Sequence, residues 1–464
     1  MLKRIASLLL CLSACSSVDV PEVTAVNAEI AGSSITIRGA VFYNDRRNHG
    51  LWSTRRTNTG ALGTKCDTSG RRADGTACST NWLGAYYAVV DVIERDEGYG
   101  PLDVNCKPED VLRSVAIAAD GSFSTTFTHD DPCNHDDLGK AIVLKVRLRY
   151  CGSWCFSVNT EGGTPYSLYY PGASPSNPLE VQNGDDIQLG NMFFNPSGSS
   201  NTVANETTKA VNYYASLVDT IRTVHEGTGI PFYENEFGEI EYVYPSNRTA
   251  TATAMSPTEV VISPTLDTGW PDGKTPAHEY GHVLMQRAWD GDYGFDGVGI
   301  SAGDSGPAVS RQIAFKEAWA EFIAKAVFAA TNGCALESFD DNDRTAPAGP
   351  LGEGAQWRLN IKKALCDWYD ARVDDDPALA GAGDHFAAEN LYSMWFNLRN
   401  MYLHADDYGG DYSGEGLWFC DWVDYYLDVR KSSAAVGAAS HADYVEEITN
   451  VIYNNNIACY LPAP

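Results

Sequence analysis

The chain is poor in positive charge. Its 464 residues carry 33 Lys and Arg against 61 Asp and Glu, a formal net charge of −28. Binding phosphate backbones needs a basic face, so a nucleic-acid partner is not expected, and the acidity serves solubility. Long apolar runs are scarce too: beyond the first fifteen residues no segment is apolar enough to cross a membrane as a helix. A P-loop, a GxGxxG turn after a strand and a GxSxG nucleophile elbow are all missing, which removes the usual nucleotide, dinucleotide and serine-hydrolase sites. There is no repeat of solenoid length.

What is present describes a soluble globular protein: 44% hydrophobic and 20% charged residues. The length exceeds one ordinary core, so two or three domains are expected. The first residues, MLKRIASLLLCLSAC, read as an export signal, with Lys3 and Arg4 ahead of an apolar run from Ile5 to Leu12 that is too short to span a bilayer. Leu12-Ser13-Ala14-Cys15 resembles the bacterial lipobox, which implies cleavage after residue 14, lipidation of Cys15 and a short tether over 15–21. Ser16 follows Cys15 where an Asp would hold a lipoprotein at the inner membrane, so the resemblance implies an outer-membrane or cell-surface location. Plain secretion is the alternative.

The cysteines fit export. Setting aside Cys11 and Cys15, the remainder is even in number, which in an oxidising compartment reads as disulfides. Cys151 and Cys155 have three residues between them, neither the redox CxxC spacing nor a good zinc knuckle, so a structural bridge is expected there.

Residues 22–195 read as β-structure. The runs at 33–43, 86–94, 121–129 and 141–151 are β-branched and aromatic, several alternate, and Gly, Asp, Asn and Pro clusters separate them. An antiparallel sandwich of roughly seven strands follows from that pattern. The order of its segments resembles transthyretin-like or carboxypeptidase-regulatory modules. A Gly/Ser/Asn-rich stretch over 196–208 reads as a linker, and 209–464 as a second domain, α+β and mostly helical. Tyr214, Leu217, Val218, Ile221 and Val224 recur at helical spacing, with Thr208 placed to cap and Gly227 to terminate. Short strands are expected at 239–245, 251–255 and 258–263, and helices at 312–330, 356–370, 387–403 and 417–430.

Residues 278–282 read HEYGH. On its own the pattern is also what a solvated helix face shows, and its weight comes from context. Thr275-Pro276 is an N-cap followed by proline at the first helical position, so a helix starting there carries His278 and His282 in its first turns. A spacing of four puts both imidazoles on one face, close enough for one Zn²⁺, with Glu279 beside them as a general base for water on the metal. A catalytic zinc needs a third protein ligand. A metzincin would place Gly and His at 285 and 288, which here are Met285 and Ala288. The helix AFKEAWAEFIAKAVF (314–328) instead offers Glu317 and Glu321, four apart on one face.

Residues 270–330 thereby resemble zinc metallopeptidases of the gluzincin type, including bacterial lipoproteins that join HExxH to an EAWAEF-like helix, and ALCDWYD (364–370) resembles a helix recurring in them. The resemblance implies a zincin-like catalytic domain in which Glu317 is the third ligand and Glu321 hydrogen-bonds a ligand histidine. The step of 35 positions from His282 to Glu317, with 290–311 as an inserted loop, leaves the choice between the two glutamates open. The resemblance also implies that an extended peptide adds to an edge strand, either the strand leading into the metal helix or the neighbouring TATAM (251–255), and that a downstream Tyr or His stabilises the oxyanion. His404 and Tyr408 are the candidates, beside Tyr402.

Acidic stretches at 290–297, 340–343 and 373–384 could take Ca²⁺, although none fits an EF-hand and solvated loops are the plainer reading. His49, His129, His135, His225, His385 and His441 lack a ligand-spaced partner and read as surface or satisfied core. The expected partners are a peptide or protein substrate and the membrane holding Cys15, with the chain acting as a monomer. A second reading stays open: a non-catalytic exported lipoprotein whose metal site is degenerate or structural.

Overall fold

The structure, a computed structural model, describes residues 34–44, 54–56, 62–64, 82–95, 109–128, 140–194, 202–232, 234–249, 251–265, 274–290, 311–328, 358–369, 391–403 and 419–432, together with 452, 457 and 459. Its strands are β1 (Ile35–Asn44), β2 (Thr54–Arg56), β3 (Leu62–Thr64), β4 (Trp82–Gly84), β5 (Val89–Arg95), β6 (Glu109–Ala116), β7 (Ser122–Phe127) and β8 (Lys140–Arg147). They continue with β9 (Arg149–Cys151), β10 (Cys155–Asn159), β11 (Ser167–Tyr169), β12 (Leu179–Val181), β13 (Asp186–Phe194), β14 (Ile240–Val243), β15 (Ala252–Ser256) and β16 (Glu259–Ile262). The helices are α1 (Thr202–Ile221), α2 (Glu234–Phe237), α3 (Lys274–Ala288), α4 (Arg311–Phe328), α5 (Arg358–Tyr369), α6 (Leu391–Leu403) and α7 (Phe419–Ser432).

This is a mixed α+β architecture. One sheet runs β13-β1-β4, with β7 also paired to β1; a second runs β11-β8-β5-β6, with β12 also on β8; β2 and β3 form a small ribbon. Ile35, Ile37, Val41 and Phe123 from the first sheet share an apolar core with Val90, Val92, Leu144 and Val146 from the second. Strict alternation gives β7 its two faces, with Phe123, Thr125 and Phe127 inside and Ser122, Ser124 and Thr126 outside.

A third sheet, β15-β16-β14-β10-β9, takes strands from both sides of residue 195, so the division read from composition is not a division of the sheets. The long run at 141–151 is two strands rather than one. At Leu148 the chain passes from the second sheet to the third: the Leu148 N–H donates to Tyr166 and its carbonyl accepts the Val158 N–H. The pairing is also less antiparallel than expected, because β1–β13, β10–β14 and β14–β16 are parallel. Parallel neighbours need a long connection, and the β10–β14 link contains α1. With all five residues buried, β10 lies covered on both faces.

Two further boundaries differ from the sequence reading. Tyr86 and Tyr87 form a turn closed by the Ala88 N–H on the Ala85 carbonyl, and β5 begins only at Val89. α1 starts at Thr202, inside the stretch read as linker, so Thr208 is no cap but a buried helical residue whose carbonyl accepts the Asn212 side chain. Gly227 does terminate the helix, after a π-helical turn over Arg222–Glu226.

The helices assemble around Trp319, Trp368, Trp395 and Trp422, all fully buried. Trp422 packs at a tilt against Trp368, ring centroids 4.9 Å apart, and against Phe315 of α4 at 6.2 Å. Such rings bury 150–250 Å² each and dominate the energetics of a core this aromatic. Two disulfides join pairs of described residues: Cys151–Cys155, the structural bridge expected from its spacing, and Cys420–Cys459, which ties α7 to the C-terminal segment.

Candidate metal centre

The HEYGH stretch lies on α3, which starts at Lys274, two residues before the first helical position predicted, so Thr275 lies within the helix rather than capping it. Pro276 still falls in the first turn, where its missing N–H has no intrahelical acceptor to lose. α3 is buried almost all round, so polar residues that would be a solvated face elsewhere are enclosed here: Glu279, His282, Gln286 and Arg287 are all buried.

What brings α4 to α3 is a glycine inside the motif. A Cβ on Gly281 would stand 2.6 Å from the Ala320 Cα and 3.1 Å from its carbonyl oxygen. Backbone therefore meets backbone, a separation no other residue permits. At that separation Glu317, one turn before Ala320, reaches the histidines.

The result is a compact donor set. The Nε2 atoms of His278 and His282 are 3.2 Å apart. Glu317 places one carboxylate oxygen 3.3 Å from His278 Nε2 and the other 3.5 Å from His282 Nε2. Four ligands arranged tetrahedrally at about 2.0–2.1 Å from an ion stand roughly 3.3 Å from one another, so these separations fit a zinc-sized cation. Two imidazole nitrogens and a carboxylate turned toward one point also demand a positive charge between them, whether a proton or a metal ion. The three residues form a group that could hold a metal ion. The other such group, Cys151, Cys155 and Glu239, has its sulfurs joined in a disulfide and its carboxylate paired with Arg149 at 2.8 Å.

The electrostatics follow the geometry. Burial opposes a charged His278, but the Glu317 hydrogen bond and the charges of Glu279, Glu317 and Glu321 outweigh it and raise the pKa. Burial pushes the Glu279 carboxyl up to about 7; His278 and the Ala254 N–H pull it back, while Glu317 adds to the rise. The Ala254 N–H donates to Glu279 Oε2 at 2.9 Å, which brings the sheet edge β15 against the metal helix.

Glu321 is buried, and its carboxylate pairs with Lys362 of α5 at 3.0 Å. Of the two glutamates, Glu317 is therefore the one joined to both histidines. His404, Tyr408 and Cys15 lie outside the described residues, as do the acidic stretches considered for Ca²⁺ apart from Asp290. Tyr402 falls within α6, but its side chain is not among those described.

Several supports of α3 carry no motif. Tyr242 of β14 donates its hydroxyl to the Pro276 carbonyl at 2.5 Å. His225, delivered by the π-helical turn, is buried; its Nδ1 lies 2.6 Å from the Ile230 carbonyl and its Nε2 meets the Tyr280 hydroxyl. Nδ1 donating and Nε2 accepting satisfies both bonds. The satisfied-core reading of His225 thus holds, although its place behind the metal helix was not foreseen. Arg287 fans its guanidinium onto the carbonyls of Pro257, Phe232 and Gly238, and lies over the Phe232 ring. A polar residue at a helical position that should be apolar was the available signal for both.

No family model and no curated protein matches this chain.

Proposed function

We propose that the protein is a zinc-dependent peptidase, exported and held at the bacterial outer membrane or cell surface through a lipidated Cys15. The observation that carries this reading is the convergence of His278, His282 and Glu317 beside a buried carboxylate, Glu279, that is not one of the three. A purely structural site would take four protein ligands and has no use for an unattached carboxylate at its side.

His278, His282 and Glu317 would hold the ion, which when bound supplies Lewis acidity to water and to a substrate carbonyl. Glu279 takes the proton of the attacking water and returns it to the leaving amine. Its burial serves that role, since a carboxylate whose pKa sits near neutrality both accepts and releases a proton there. The Lys362 partner keeps the Glu321 carboxylate fixed next to the ligand face. The substrate backbone lies along β15, the sheet edge that touches Glu279. His404 or Tyr408 remains the proposed oxyanion donor.

Elemental analysis of purified protein tests the reading first: about one zinc per chain, lost when His278, His282 or Glu317 is replaced by Ala. Glu279→Gln is then expected to keep the zinc and lose hydrolysis of a broad peptide library. A wild-type protein carrying zinc yet cleaving nothing would leave the structural-site reading in its place. Cys15→Ser is expected to release the protein from membranes.

A further inference from the structure

The contact between Glu279 and the sheet edge has a direction. β15 is the end strand of its sheet and pairs antiparallel with β16, with Ala252 opposite Ile262, Thr253 opposite Val261 and Ala254 opposite Val260. The Ser263 N–H bonds the Thr251 carbonyl across this ladder, so by the two-residue alternation of an antiparallel pair Thr251 and Thr253 face β16, while Ala252 and Ala254 turn their polar groups outward. The outward N–H of Ala254 meets Glu279 Oε2 at 2.9 Å.

Immediately afterwards the register slips, leaving Met255 between Ala254 and Ser256, half exposed at 50%. A bulge ends regular pairing and bends the strand. Here it sits one residue beyond the amide that holds the carboxylate. Ala252 and Ala254 are small, so nothing on β15 stands between the main chain and α3. A buried glutamate has freely rotating bonds, and one oxygen tied to a rigid main-chain donor removes that freedom while leaving the second oxygen to take a proton.

We propose that the backbone N–H of Ala254 is the positioning donor for Glu279, so that the edge strand orients the base of the reaction as well as receiving substrate. The role of Glu279 as base rests on the peptidase reading; the hydrogen bond and its effect on the carboxylate do not. A main-chain donor asks of the side chain at position 254 only that it be small. It also predicts that the strand amide open to an incoming peptide is that of Ala252.

Two measurements test this. Residue-resolved hydrogen exchange on the full chain reads the bond without any turnover: in the wild type the Ala254 amide is protected, and Glu279→Ala speeds its exchange by about tenfold or more while Val260 and Val261 of β16 keep theirs. Unchanged exchange at Ala254 would overturn the proposal. In the second, a backbone ester at position 254, made by inserting lactic acid in place of alanine, removes the N–H and keeps the side chain; Ala254→Pro removes it too, while adding a ring and fixing φ, on an edge strand where proline is tolerated. Either is expected to retain about one zinc per chain and to lower kcat about tenfold or more with little change in KM. Full kcat in a zinc-loaded ester variant would refute the positioning role. If the wild type itself hydrolyses nothing, the peptidase reading falls, and hydrogen exchange alone still decides whether Ala254 holds the carboxylate.

Discussion

The two ends of the five-stranded sheet are finished in opposite ways. At the β9 end the chain is closed covalently by Cys151–Cys155, and Arg149 grips Glu239 of the segment before β14 with two hydrogen bonds. At the β15 end there is no comparable closure among the described residues; an outward amide meets a buried carboxylate and a methionine is left half exposed. Unpaired strand edges invite other chains, and proteins usually blunt them. Among the described residues one edge of this sheet is blunted and the other is left open, next to the group that could hold a metal ion. On the proposed reading, the difference separates scaffold from working surface within a single sheet.

Substitutions at the open end are expected to have the largest effect. Glu279→Gln should lower kcat by about 10²–10⁴-fold, the range general base catalysis supplies, with zinc content unchanged in the same preparation. If activity survives, the open edge is only an edge. Behind that end, His225 gives a pH signature. Burial first, then the charge of Arg287, lower its pKa from 6.5 to about 4. The unfolded chain therefore binds a proton in that interval that the folded one refuses, so this contribution is full above about pH 6.5 and lost as pH falls toward 4. It amounts to about 3 kcal/mol, read as the fall in urea midpoint across that window, and His225→Gln should flatten it.

At the closed end the expectation is smaller and of another kind. Replacing Cys151 and Cys155 by Ser together should cost about 2 kcal/mol, since so short a loop restrains little chain entropy, and should leave zinc binding intact. A loss of zinc would mean the two ends are coupled through β14 and β16. The smallest effect is expected at the surface pair of Arg248 with Glu259, where Arg248→Ala should shift stability by less than about 1 kcal/mol, less still in high salt.

The donor set was legible in sequence because helices report their side-chain spacing directly. His278 and His282 are four apart, Glu317 and Glu321 are four apart, and each pair needs only a regular helix to share a face. The choice between the two glutamates was not legible, since it depends on how α4 is rotated against α3. Nor was the meaning of Gly281, an unconstrained position in the motif that proves to be the contact setting the distance. The break at Leu148 was hidden because strand-forming residues stand on both sides of it, Val146 before and Tyr150 after, and the parallel pairing of β10 with β14 because its partners are some eighty residues apart. Ala254 acts through its main chain, which leaves no mark on residue identity.

Gly281 against Ala320 has one more consequence. Where side chains separate two helices, a rotamer change can open or narrow the gap; where main chain rests on main chain, the gap is a fixed gauge. Ions of larger radius, Ca²⁺ among them, would have to pry α3 and α4 apart to sit among these three donors. Were an ion held there, its size would thus be limited by a residue that touches no ion.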